Sequence, residues 1–301
     1  MLRVTTITLS VLMASVCQAQ THTLHIDKGV YKPTITRWFD ALDKFSMVPS
    51  TTYAVKKVGG EDKLHRVGHR DLLVWIPNTT NLSMDFTVVL WFHGHRGYIQ
   101  HRTFQDRILK QFVPHAKPTA GGKNFVVVLP EMPWSINTKT PTKRNGQLWL
   151  KPGDFLEFIT QVEGILVKHL MNQILEGPLS RWKISGLGKI DYRVVGHSAG
   201  GSTIATLGHT GDLCKINPSL VVWSDSSYGK WLPKAWDGCL GASNVRTEVF
   251  VKKGGPPWRR STQFMGEFQG QPKFLHLHVQ GKGWTHKKIG NNIVDLSGVL
   301  E

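Results

Sequence analysis

Residues 196–201 read Gly-His-Ser-Ala-Gly-Gly, a serine set between glycines directly after YRVV (192–195). A serine hydroxyl is a weak nucleophile until a base takes its proton, and that base works best when a third group holds its ring. The chemistry open to such a serine is acyl transfer through a tetrahedral oxyanion. The pattern G-x-S-x-G is weak by itself: with 30 Gly in 301 residues, chance yields about 0.2 matches in such a chain. It gains weight when a strand precedes it, a helix follows it and suitable partners lie downstream.

Partners do lie downstream. Of 14 His, His286 in VQGKGWTHKKIG (279–290) stands in the loop after the last apolar run, where an imidazole can take the Ser198 proton and return it to a leaving group. For the orienting acid, Asp225 closes the run SLVVWSD (219–225) and is the first choice. The loop GGPPWRRSTQFMGEF (254–268) holds only Glu267, the second choice. An oxyanion hole needs backbone donors: the N–H of Ala199, next to the serine, and that of His95 in WFHGHRG (91–97), where Gly94 permits close approach. The His93-x-His95 spacing also suits a metal, but no third ligand follows at convincing spacing, so no metal and no cofactor are expected.

These residues need a frame. DLLVWIP (71–77), FTVVLWFHG (86–94), NFVVVLPEMP (124–133), YRVVG (192–196), SLVVWSD (219–225), TEVFVKK (247–253) and KFLHLHVQG (273–281) read as strands. Several are continuous apolar runs, as in sheets buried on both faces. Helical spacing marks 103–113, 153–175 with Asp154 as N-cap, 200–209, and a closing segment 291–300. Residues 20–65 are mixed, with TITRWFDAL (34–42) helix-like and TTYAVKKV (51–58) strand-like. Alternating strands and helices predict a mostly parallel sheet with helices on both faces, and ligands then bind beyond the carboxyl ends of the strands.

HGHRG after a strand, GHSAGG at an elbow, and the order Ser198, Asp225, His286 resemble the α/β-hydrolase superfamily over residues 70–300. DLLVWIP…TVVLWFHG is similar to the entry of secreted esterases of the feruloyl-esterase and polyhydroxyalkanoate-depolymerase type. The resemblance implies the α/β-hydrolase fold and a serine esterase that works through an acyl-enzyme. The family usually places its acid after the next strand, which is where this chain departs from it.

The loops after the strands are rich in Trp and in cations. Trp134, Trp258, Trp284 and Arg259 are the expected substrate contacts, on an ester within an anionic, aromatic or polymeric substrate. Trp231, Trp236, Arg96, Lys252, Lys253, Arg260, Lys287 and Lys288 belong to the same rim, and some of the Trp are expected to plug the core. The net charge is +16. The basic residues are scattered and no nucleic-acid module is recognisable, so nucleic-acid binding is not expected.

The first 19 residues carry Arg3, an apolar stretch from Ile7 to Val16 and small residues near Ala19, the pattern of a cleaved signal peptide. The stretch is too short to span a bilayer, so no stable membrane insertion is expected. We therefore expect one domain over 20–301, secreted or periplasmic, with Cys214 and Cys239 joined in a disulfide. Two rival readings stand beside the esterase: a serine peptidase or amidase with the same triad, and a binding protein that keeps the fold without the chemistry.

Overall fold

The computed structural model describes residues 20–23, 25–27, 30–34, 56–58, 61–63, 72–77, 79–95, 107–116, 123–130, 132, 149, 151–176, 186–268 and 273–301. The proposed signal segment, residues 35–42 of the helix-like stretch, Arg96, Glu131 and Trp134 lie outside them.

Eight strands form one sheet: β1 (Gln20–Thr23), β2 (Leu72–Ile76), β3 (Phe86–Phe92), β4 (Phe125–Pro130), β5 (Ile190–His197), β6 (Leu220–Ser224), β7 (Arg246–Lys252) and β8 (Leu275–Gln280). Their spatial order is β1-β2-β4-β3-β5-β6-β7-β8. β2 runs antiparallel to both its neighbours, and β3 to β8 are mutually parallel. Two small hairpins, His25–Thr34 and Lys56–Lys63, stand apart from the sheet.

The apolar runs become central strands because both faces of the sheet are covered. Side chains alternate with period two. Val88, Leu90 and Phe92 of β3 therefore join Val126, Val128, Val221 and Trp223 on one face. Val89 and Trp91 join Phe125, Val127, Leu129, Val195 and Val222 on the other. Helix α1 (Asp154–Glu176) covers the first face, where Phe155 and Phe158 pack on Trp149 with ring centroids 5.0 Å apart in each case. On the second face lie a helical turn at 107–109 with Ile108 and Phe112, and the C-terminal segment with Ile289, Ile293, Val294 and Leu300.

Helix α2 (Gly200–Thr210) is buried from residue 200 to 208, held between the sheet and α4 (Trp231–Gly238). Its four-residue successor α3 (Asp212–Lys215) carries Cys214, and a disulfide joins Cys214 to Cys239 at the end of α4, with Cα atoms 6.1 Å apart. Further helices among the described residues are α5 (Pro256–Met265), α6 (His286–Gly290) and α7 (Ile293–Ser297). Among the described residues, no helix is long and apolar enough to cross a membrane.

The mostly parallel sheet with helices on both faces is as the sequence predicts, but several elements differ. GGPPWRR reads as a loop and is the start of α5. Proline is tolerated there because the first helical N–H has no partner inside the helix anyway. α4 is too short for its period to stand out, and β1 pairs with β2 without an apolar run to announce it. The expected helix 103–113 is helical only at 107–109 among its described residues, before a 3-10 turn at Val113–His115 that includes Pro114.

Candidate active site

β5 and β6 run in register up to the pair His197–Ser224. Each strand makes one further ladder-like bond: Ser198 N–H donates to Ser224 O at 3.2 Å, and Asp225 N–H donates to Phe250 O at 2.7 Å. Both chains then turn at the same level into the left-handed region, Ser198 at φ +53° and Asp225 at φ +46°. That conformation costs a non-glycine residue about 1–3 kcal/mol and persists where the surroundings impose it. Here two adjacent strands turn their next residue out at the same carboxyl end of the sheet.

The elbow needs its glycines for steric reasons. A Cβ on Gly200 would lie 2.0 Å from Phe92 O, so α2 could not start this close to β3 with any other residue there. A Cβ on Gly94 would lie 2.7 Å from Ser198 Cβ, which places the loop after β3 directly against the serine.

His286 is the first residue of α6. Thr285 caps that helix, its hydroxyl accepting from Lys288 N–H at 3.1 Å, and Ile289 anchors it in the core. His286 Nδ1–H donates to Asp225 Oδ2 at 2.7 Å. The other carboxylate oxygen, Oδ1, accepts from Lys252 N–H at 3.1 Å. The end of β7, where the resemblance would place the acid, thus supplies a donor to the acid instead. Asp225 is 3% exposed. Glu267 lies exposed beyond the end of α5, and among the described residues no bond links it to His286.

Two histidines that the sequence left without a role are part of the frame. His93 accepts Met132 N–H on Nε2 at 2.8 Å, so its proton sits on Nδ1 and is donated to Gly94 O at 2.7 Å. A trans peptide carries its C=O and N–H on opposite sides. Fixing the Gly94 carbonyl therefore also fixes the direction of the His95 N–H. The metal alternative gives way to this account of His93, whose two ring nitrogens are both engaged with backbone. His197 donates Nδ1–H to Ser224 O at 2.9 Å, and its ring stacks on that of His286 with centroids 4.6 Å apart. Gly290 closes the other side: a Cβ there would lie 2.4 Å from His197 Cε1. Burial, and next the adjacent His286, push the His197 pKa down to about 4, so the ring is neutral near pH 7.

Tyr228 was also missed. Its hydroxyl comes near the Ser198 side chain, and its ring meets His286 edge-on at 6.5 Å. Burial, and next the Asp225 charge, raise its pKa, so it stays a phenol. No sequence signal marks it, because it reaches the serine only through the turn after Asp225.

Ser198, His286, Gly94 and His95 open onto one cavity of about 310 Å³, also lined by Trp91, Ile108 and Arg107. Ala199, buried, stands at the N-cap of α2 beside the serine. Of the expected substrate contacts, Trp134 is outside the described residues and the other three lie away from this lining. Trp258 leans on the core, Arg259 donates to Gly254 O at 3.3 Å, and Trp284 packs on the second core face beneath Lys288 Nζ, 4.9 Å from its ring. None of these three lines the cavity. Trp231 and Trp236 pack against the core, Trp236 edge-on to Phe264 and Phe268, as expected of plugs. Position after a strand is enough to place a residue at this end of the sheet, but not to aim its side chain.

No protein-family model matches the sequence, and no curated protein matches it. Solved structures do resemble it. An IroE-like serine hydrolase from Shewanella oneidensis shares 13% identity over 94% of this chain and 79% of its own, with a TM-score of 0.47. A dienelactone hydrolase from Anabaena variabilis shares 13% over 84% and 97%, TM-score 0.40. Esterase B from Lactobacillus rhamnosis, seen with a phosphonate inhibitor, shares 11% over 76% and 79%, TM-score 0.42. Likenesses this distant say nothing of what this chain acts on, and the fold rests on its own topology. The sheet order, the strand–elbow–helix around Ser198 and the chain order Ser198, Asp225, His286 are those of the α/β-hydrolase fold, and that is the fold of this chain.

Proposed function

We propose that the protein is a secreted or periplasmic serine hydrolase of carboxylic esters. One observation carries the reading: a buried carboxylate holds His286 by its Nδ1, in a cavity shared with a serine on a strained elbow. In this mechanism His286 Nε2 takes the proton of Ser198 as Oγ attacks the ester carbonyl. Asp225 fixes the tautomer and stabilises the imidazolium that forms. The N–H groups of Ala199 and His95 receive the oxyanion. The imidazolium then protonates the leaving alcohol. Water, deprotonated by the same His286, cleaves the acyl-enzyme to release the acid and restore Ser198. Neutral His197, stacked on His286, places no second positive charge beside the imidazolium. No metal or cofactor enters the scheme.

A fluorophosphonate probe with peptide mapping tests it. Labelling is expected at Ser198 alone and is lost in His286→Ala. Ester turnover by Ser198→Ala is expected to fall by about 10⁴-fold or more, the usual scale for loss of a nucleophile. A well-folded protein that neither labels nor cleaves esters would favour the binding-protein reading.

A further inference from the structure

Resting on the ester-hydrolase reading, we propose that Arg107 and Lys287 form an anion subsite in the cavity, and that the substrate is an ester carrying a carboxylate a few bonds from the scissile carbonyl. Two stretches of the cavity lining carry the charge. One is the helical turn with Arg107 and Ile108, followed by Gln111; the other is α6 with Lys287 and Gly290, followed by Asn291. In each stretch the lining residues are spaced as one helical face, three or four apart.

The two stretches are clamped together. Gln111 Nε2 donates to Gly290 O at 3.0 Å and Gln111 Oε1 accepts Val294 N–H at 3.4 Å, so its amide is spent on joining the two segments. Arg107 and Lys287 are both exposed, and among the described residues neither pairs with a carboxylate. No Asp or Glu is among the described lining residues. Asp225, the buried acid behind His286, already holds His286 and the Lys252 N–H. Among the described residues the cavity therefore offers two cations, an amide side chain at Asn291 and the apolar surfaces of Trp91 and Ile108, with no acidic side chain in the lining. A volume of about 310 Å³ is at the small end for ligand sites, so an anionic group bound there lies close to Ser198. A guanidinium also matches a carboxylate with two parallel donors.

The test uses two methyl esters of matched acyl length, monomethyl glutarate and methyl valerate, which differ in a carboxylate against a methyl group. The readout is the ratio of their kcat/KM values, glutarate over valerate. The wild-type ratio is expected to exceed one and to fall at least tenfold, through KM of the hemiester, in Arg107→Gln/Lys287→Gln. Raising ionic strength is expected to compress the wild-type ratio in the same direction. A wild-type ratio at or below one, or a ratio untouched by the double substitution, overturns the subsite while valerate cleavage leaves the esterase reading standing. If wild type cleaves neither ester and Ser198 takes no fluorophosphonate, the esterase reading fails. The subsite is then decided by calorimetric titration with glutarate: binding that the double substitution abolishes supports it, and no binding overturns it.

Discussion

At the residue scale, Asp225 decides whether the site is a triad. Its carboxylate is buried and shared between His286 Nδ1 and Lys252 N–H. Asp225→Asn keeps the shape but no longer fixes the imidazole tautomer, and kcat is expected to drop about 10⁴-fold. Glu267→Gln, at an exposed position beyond α5, is expected to leave kcat within about twofold, the ordinary scale for a surface change remote from any special feature. Steady-state kinetics on both variants separates the two acids; a large loss in the Glu267 variant with a mild one in the Asp225 variant would reverse the assignment. The sequence made Asp225 legible by its place at a strand end. It could not show the Lys252 bond, because residues 27 apart in the chain meet only through the β6–β7 register.

At the element scale, the helices hold what the strands present. α3 and α4 flank α2 and are tied together by the Cys214–Cys239 bridge. By chain entropy, closing a loop with a sequence separation of 25 residues is worth about 3.5 kcal/mol. Cys214→Ser/Cys239→Ser is therefore expected to lower unfolding free energy by about 2–4 kcal/mol, measured by urea titration. A loss below about 0.5 kcal/mol would mean that packing of α4 on α2 holds this layer unaided. Since Ala199, next to the serine, is the N-cap of α2, loosening of α2 also reaches the serine, and kcat is expected to fall along with stability. The cysteine pairing was readable from an even pair behind an expected signal peptide. The helix between the cysteines was not, since eight residues around Pro233 show too little periodicity to separate from a loop.

At the scale of the whole molecule, pH acts on stability through His197. Its folded pKa, about 4, lies below the ordinary value of 6.5, so between these values the unfolded chain binds the proton more strongly. Stability is then full above pH ~6.5 and is lost as pH falls toward ~4, by an amount of order 3 kcal/mol. Urea unfolding between pH 7 and pH 4 should show a shallower decline in His197→Gln than in wild type. Parallel declines in the two proteins would remove His197 as the cause. The net charge of +16 acts over the same range, since protonating acids leaves the cations less compensated.

The sequence by itself determined the centre of the sheet, because strands buried on both faces must be largely apolar, as β2, β3, β4 and β6 are. It also determined the elbow, because the glycines at 94 and 200 answer to steric limits that hold for any backbone brought so close. From these followed the triad candidates, each next to the carboxyl end of a strand. Only the tertiary structure decided which side chains face the cavity. Arg107 and Lys287 reach it and Arg259 and Trp258 do not, because the direction of a side chain depends on the rotation of its helix about its own axis. That rotation is set by which residues the core accepts, and contacts between segments far apart in the chain leave no local mark in the sequence.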